Sequence, residues 1–179
     1  MEPQIALLKE RFSIEKWVEV KNSPYFRPKP ETGGLWTSTC TPEGGDWIRW
    51  CQGKSPDWIK GIAHLFTIKP TVRIYTINSL DDLKACPCQK TDTRTIYGRF
   101  ETRIDFEKMA EFYDGIHLTE EGQWKTRMSE PNLYGWDCES TLWLRPTAFA
   151  GILIIPIVKS WLGETHYGEN QKEETQFVK

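Results

Sequence analysis

Three stretches of the chain hold residues whose types and spacing can do chemistry. Gly33-Gly34-Leu35-Trp36-Thr37-Ser38 sets two glycines ahead of a strand, where a ligand can approach the backbone closely. Trp36 offers a flat face, and Ser38 points the same way two residues on. Trp47 follows eleven residues after Trp36. A strand, a tight turn and a helix between them would fold Trp47 back over Trp36. Two indoles so placed hold a planar ring, and a cationic one especially well. The third stretch, Trp136-Asp137-Cys138-Glu139-Ser140-Thr141-Leu142-Trp143, reads as a strand opened by a carboxylate. Period-two geometry turns Asp137 and Glu139 to the same side. A glutamate there can hydrogen-bond a ribose hydroxyl and stabilise the positive charge that develops as a sugar–nitrogen bond breaks. Each stretch also has a plain alternative: an ordinary glycine turn, two unrelated core tryptophans, an exposed pair of turn carboxylates.

The order of these pieces resembles the ADP-ribosyltransferase superfamily. In its poly-ADP-ribose-polymerase and diphtheria-toxin-like branch, a glycine-aromatic strand and a second aromatic eleven residues later wall the nicotinamide, and a late glutamate is catalytic. Gly34, Trp36, Ser38, Trp47 and Glu139 look like those pieces, with Trp in place of Tyr twice. Asp137-Cys138-Glu139 is similar to the Glu-x-Glu or Gln-x-Glu element of toxin-type relatives. There the residue two before the glutamate helps select the acceptor. Asp137 departs from that pattern, so the acceptor stays open between a protein side chain and a nucleobase. Relatives also carry His or Arg on the first core strand. No His precedes His64 here, and Lys21, Asn22, Arg27 and Lys29 are the candidates to contact the diphosphate or ribose, with Lys21 and Lys29 favoured. Tyr113 joins them as a cofactor contact.

The resemblance implies NAD as substrate, no metal, and a macromolecular acceptor. It further implies a toxin or effector, for which an antitoxin or inhibitor would be a partner. Two other readings stand beside the transferase: a Trp-rich module that binds without catalysis, and an NAD glycohydrolase or RNA 2′-phosphotransferase-like enzyme.

The elements that must position these residues are short. The chain has 179 residues, enough for one domain without metal or disulfide support. Residues 3–12 read as an amphipathic helix, with Ile5, Leu8 and Phe12 on one side. Trp17–Lys21 alternates as a strand does. Strands are expected at 35–39, 62–68, 72–77, 116–119, 139–144 and 149–158, and helices from 47, at 78–83 and at 105–113. A turn or short helix is expected at 119–126, and residues 89–103 have no clear assignment. That pattern predicts an α+β fold of ADP-ribosyltransferase type, with two small, mainly antiparallel sheets flanking an NAD cleft. Residues 1–162 are expected to form the catalytic domain and 163–179 a polar tail.

The net charge of −2 and pI near 6 argue against a large polyanion-binding surface. Five cysteines, an odd number, do not suggest a disulfide framework. Cys86-Pro87-Cys88 lacks the second pair or nearby histidine that a structural metal needs. No apolar run approaches the roughly 20 residues of a membrane span, and the start of the chain reads as no signal peptide. The expected location is therefore the cytoplasm, away from membranes. Nine tryptophans point to a Trp-rich core together with a surface that stacks on something flat.

Overall fold

A computed structural model describes residues 2–24, 28–90, 102–131 and 133–162. The candidate Arg27, most of the 89–103 stretch and the 163–179 tail lie outside the described residues. The chain forms β1 (Gln4–Leu8), β2 (Leu35–Thr39), α1 (Asp46–Lys54), β3 (Ile62–Ile68), β4 (Ile74–Ile77) and α2 (Leu80–Ala85). It continues through β5 (Cys88–Lys90), β6 (Thr102–Ile104), α3 (Phe106–Phe112), β7 (Gly115–Leu118), α4 (Glu120–Thr126), β8 (Ser140–Trp143) and β9 (Phe149–Ile155). Seven strands make one mixed sheet in the order β4-β7-β8-β2-β1-β3-β9, and β5 and β6 pair separately. The fold is thus α+β, but the expected pair of small sheets is replaced by one large sheet and one hairpin-sized sheet. Within the large sheet β4 and β7 run parallel and the other pairs antiparallel.

The large sheet has a narrow waist. β1 and β3 share five register pairs, whereas β1 and β2 share only Gln4↔Thr39 and Ile5↔Ser38. Beyond Ile5 the two central strands no longer pair. The side chains of the sheet feed separate cores on its two sides. Ala6, Leu35, Phe66 and Trp143 pack together on one side. Ile77, Phe106, Met109, Ile116, Trp136 and Leu142 form the largest cluster on the other. Ile5 joins Ile48, Cys51 and Trp161 beneath α1.

Two segments depart from the expected elements. Residues 4–8 are a strand, not a helix. β1 lies between β2 and β3 and buries Ile5 on one face and Ala6 on the other. Burial on both faces leaves no alternation to read, and neighbouring strands override a moderate helix propensity. Trp17–Lys21 is not a strand. Its Val18 carbonyl accepts from Gly34 N–H, and Lys21 makes an isolated bridge with Thr32. Gly33 and Gly34 both have positive φ, and a Cβ on Gly33 would lie 2.0 Å from the Glu19 carbonyl oxygen. The double glycine therefore serves this close approach of chain to chain. The short helices start where expected: Ser79, Asp105 and Thr119 each accept a hydrogen bond from a backbone N–H three residues on.

Among the described residues, no helix is long and apolar enough to cross a membrane.

Candidate functional site

A cavity of about 450 Å³ opens where β1 and β2 part. That volume lies in the range of small-molecule sites. Ala6, Leu7 and Leu8 line one side of it, and Leu35, Trp36 and Thr37 the other. Trp36 and Trp47 both border it, as do Gly34, Ser38, Lys29 and Asp137. Each tryptophan already has a ring partner. Trp47 stacks on Trp50 with centroids 5.2 Å apart and planes 10° apart. Trp36 meets Trp136 edge-on at 4.5 Å and carries the Lys29 ammonium 5.7 Å from its ring centre. Ser38 Oγ accepts from Trp47 N–H and donates to the Glu139 carbonyl, so it joins the start of α1 to the residue before β8.

Glu139 lies just ahead of β8 and lines a second pocket of about 180 Å³, together with Asp46, Arg49, Trp50, Glu120 and Trp124. Its carboxylate is not part of the larger cavity's wall. Glu139 is held instead by Thr39, the β2 residue just beyond those that line the larger cavity. Asp137 and Cys138 border both pockets and form the partition between them.

A directed chain of hydrogen bonds ends on the Glu139 carboxylate. Trp143 Nε1 donates to Thr37 Oγ1 at 2.9 Å. Thr37 Oγ1 donates to Gln4 Oε1 at 2.8 Å, and Gln4 Nε2 donates to Thr39 Oγ1 at 3.1 Å. Thr39 then donates twice, from Oγ1 to Glu139 Oε1 at 2.9 Å and from its backbone N–H to Oε2 at 3.0 Å. Trp143, Thr37 and Gln4 are all buried. Every link points its donor toward Glu139, an arrangement that polarises successive bonds in the same sense. His117 adds a neighbour, with Nδ1 2.9 Å from Thr141 Oγ1 and 3.4 Å from Glu139 Oε1. Burial raises the Glu139 pKa above the ordinary carboxylate value, and the two Thr39 bonds oppose that rise. Burial lowers the His117 pKa, which favours the neutral imidazole. Cys138 is pushed up to about 12, chiefly by burial, so its thiol is protonated at neutral pH and is no nucleophile.

Three expected contacts lie elsewhere. Lys21 Nζ pairs with Glu107 at 2.9 Å. Asn22 bonds Asp105 through Nδ2 and accepts from Phe106 N–H through Oδ1, which pins the start of α3. Tyr113 packs edge-on against Tyr75 at 5.1 Å. None of the three lines either pocket. Lys21 and Asn22 belong to a segment that is not the first core strand, and that strand, β1, carries neither His nor Arg. Asp137 pairs with Arg127 at 3.4 Å. Gln4, Thr37 and Thr39 are site residues that the sequence reading did not find. Two polar side chains at alternate positions of the buried strand Leu35–Thr39 were the available signal.

Comparison with known proteins gives no match: no family model fits the sequence, and neither a curated protein nor a solved structure is similar to the chain.

Proposed function

We propose that the chain is an NAD-dependent ADP-ribosyltransferase that modifies a macromolecule. The observation that carries this reading is a preorganised carboxylate, Glu139, next to a tryptophan-bordered cavity of nucleotide-site size, with only Asp137 and Cys138 between them. The nicotinamide end of NAD occupies the larger cavity beside Trp36 and Trp47. Lys29 supplies a cation near the Trp36 face for a phosphate or ribose oxygen. The nicotinamide ribose lies over the Asp137–Cys138 partition, within reach of Glu139. As the glycosidic bond breaks, positive charge gathers on the ribose ring, and a carboxylate already fixed in place stabilises it without reorganising.

Such a group acts on the transition state and little on ground-state binding. Glu139→Gln should therefore lower the rate of nicotinamide release by about 10²–10³-fold and leave NAD affinity nearly unchanged. Both are measured on one preparation, the first by chromatography and the second by tryptophan quenching. Near wild-type turnover in the variant would remove Glu139 from the chemistry.

One observation favours a second reading, a binding module without catalysis: Glu139 and the Trp36–Trp47 pair border different pockets. On that reading neither NAD quenching nor nicotinamide release is seen, and the same two measurements separate the alternatives.

A further inference from the structure

We propose that Cys86 and Cys88 form a reversible dithiol–disulfide couple that small-molecule disulfides oxidise, with Cys88 as the attacking thiol and Cys86 as the resolving one. The couple stands apart from both pockets, neither of which these cysteines line.

The sequence places the two thiols side by side. Pro87 disfavours helical geometry at the residue before it, so α2 stops at Ala85 and Cys86 is extended, with φ −73° and ψ 154°. Extended chain turns residues two apart to the same side. Cys88 then opens β5, opposite Ile104 of β6, and the Pro87 carbonyl accepts from Asp105 N–H at 2.9 Å. Pinned in this way, the segment holds the two sulfurs 3.8 Å apart. Two steps of chain span at most roughly 7 Å, the outer limit at which a disulfide closes, and closure brings the sulfurs to about 2.05 Å.

Access and acidity assign the roles. Cys86 is buried in the largest core cluster, whereas Cys88 is partly exposed. Burial raises the thiol pKa of Cys40, that of Cys51 to about 11 and that of Cys138 to about 12. Cys88 moves the other way: its hydrogen bond with Cys86 lowers its pKa and outweighs burial and the Asp105 and Glu130 carboxylates, which oppose it. The same hydrogen bond, with burial, raises Cys86. Only a thiolate attacks a disulfide, so Cys88 reacts first while Cys86 keeps its proton.

The exchange balances. The Cys88 thiolate attacks one sulfur of glutathione disulfide, whose S–S bond breaks and releases one glutathione thiolate. Capping Cys88 removes the thiolate that held the Cys86 proton in place. Cys86 gives that proton to water, attacks the Cys88 sulfur and expels the second glutathione. Two protein thiols are oxidised to one disulfide, one glutathione disulfide is reduced to two glutathiones, and the protons pass from protein to glutathione through water.

The test incubates the full chain with glutathione disulfide at neutral pH, quenches with acid and maps the cysteines by mass spectrometry. A Cys86–Cys88 bridge is expected, and dithiothreitol should reverse it. In Cys86→Ser, glutathione should stay on Cys88 as a mixed disulfide; in Cys88→Ser, Cys86 should remain a free thiol. Trace iodoacetamide should label Cys88 at least about tenfold faster than Cys51. The difference in acidity gives about 10²-fold in thiolate fraction, and the weaker nucleophilicity of the more acidic thiolate takes back about tenfold. A wild-type chain that keeps glutathione on Cys88 without closing the bridge would overturn the couple. So would a bridge to Cys40, Cys51 or Cys138, no reaction at all, or Cys88 labelled no faster than Cys51. Should Cys86→Ser fail to fold by circular dichroism, the wild-type map and Cys88→Ser, at the more exposed position, decide.

Discussion

Gln4→Leu cuts the chain of hydrogen bonds behind Glu139 at its middle. Leucine nearly fills the glutamine's volume, so the change removes polar contacts and leaves little cavity. The bond from Thr37 Oγ1 to Gln4 Oε1 and the bond from Gln4 Nε2 to Thr39 Oγ1 disappear. Gln4 is fully buried and Thr37 nearly so, so water does not replace the lost partners. At about 1 kcal/mol for each bond, the loss is about 2 kcal/mol of stability. With a urea m-value of about 2 kcal/mol/M for a domain of this size, the unfolding midpoint falls by about 1 M. Thr39 keeps its own two bonds to Glu139 but loses the donor that fixes its hydroxyl from behind. Turnover of NAD should therefore fall while NAD affinity holds, since the cavity walls are untouched. Thr39→Val, which deletes the hydroxyl but keeps the backbone donor, should reproduce the turnover loss. A Gln4→Leu midpoint within about 0.3 M of wild type, equivalent to about 0.6 kcal/mol, together with unchanged turnover, would refute the claim that this chain supports the carboxylate.

Three further outcomes are expected of the protein. The folded protein holds the Glu139 proton more tightly than the unfolded chain does, because burial raises that pKa; the resulting stabilisation is present at low pH and fades as pH rises through the folded pKa. Glu139→Gln should therefore gain stability relative to wild type as pH rises from about 4, the ordinary carboxylate value, and urea midpoints that keep a constant difference as pH rises would contradict it. The Cys138 thiol, with its pKa pushed up to about 12, should resist iodoacetamide at neutral pH and be labelled faster as pH climbs toward that value, read by mass spectrometry. Gly122→Ala should destabilise the fold by about 1–3 kcal/mol, since the new Cβ would lie 2.1 Å from the Ile77 carbonyl oxygen and α4 must lift off β4; an unchanged melting temperature would show that this contact relaxes freely.

Much of the architecture was legible because its signals are local. The helices expected at 78–83 and 105–113 and the strands expected at 35–39 and 62–68 form within a few residues of those bounds. The 4–8 strand was not legible. Its Ile5 and Ala6 are buried on opposite faces because separate clusters pack on the two sides of the sheet there, and that fact exists only once the sheet has formed. The candidate site divided in the same way. Trp36 and Trp47, eleven residues apart, border one cavity, and Lys29 and Asp137 border it too, which no spacing indicated. Lys21 and Asn22 instead anchor α3, because the segment carrying them folds back on residues 31–34. The separation of Glu139 from Trp36 follows from the register of β8 on β2, with Trp36 opposite Leu142 and Thr37 opposite Thr141, a pairing of distant segments that no local pattern encodes.

The two-pair waist between β1 and β2 also has a mechanical meaning. A sheet bends most readily where the fewest ladder bonds resist, and here that place is Gln4↔Thr39 and Ile5↔Ser38. Thr39 grips the Glu139 carboxylate and Ser38 grips its carbonyl. The axis about which the two halves of the sheet would swing therefore passes through the residues that aim the carboxylate. The residues that join the two halves of the sheet are therefore the same ones that hold Glu139 in place.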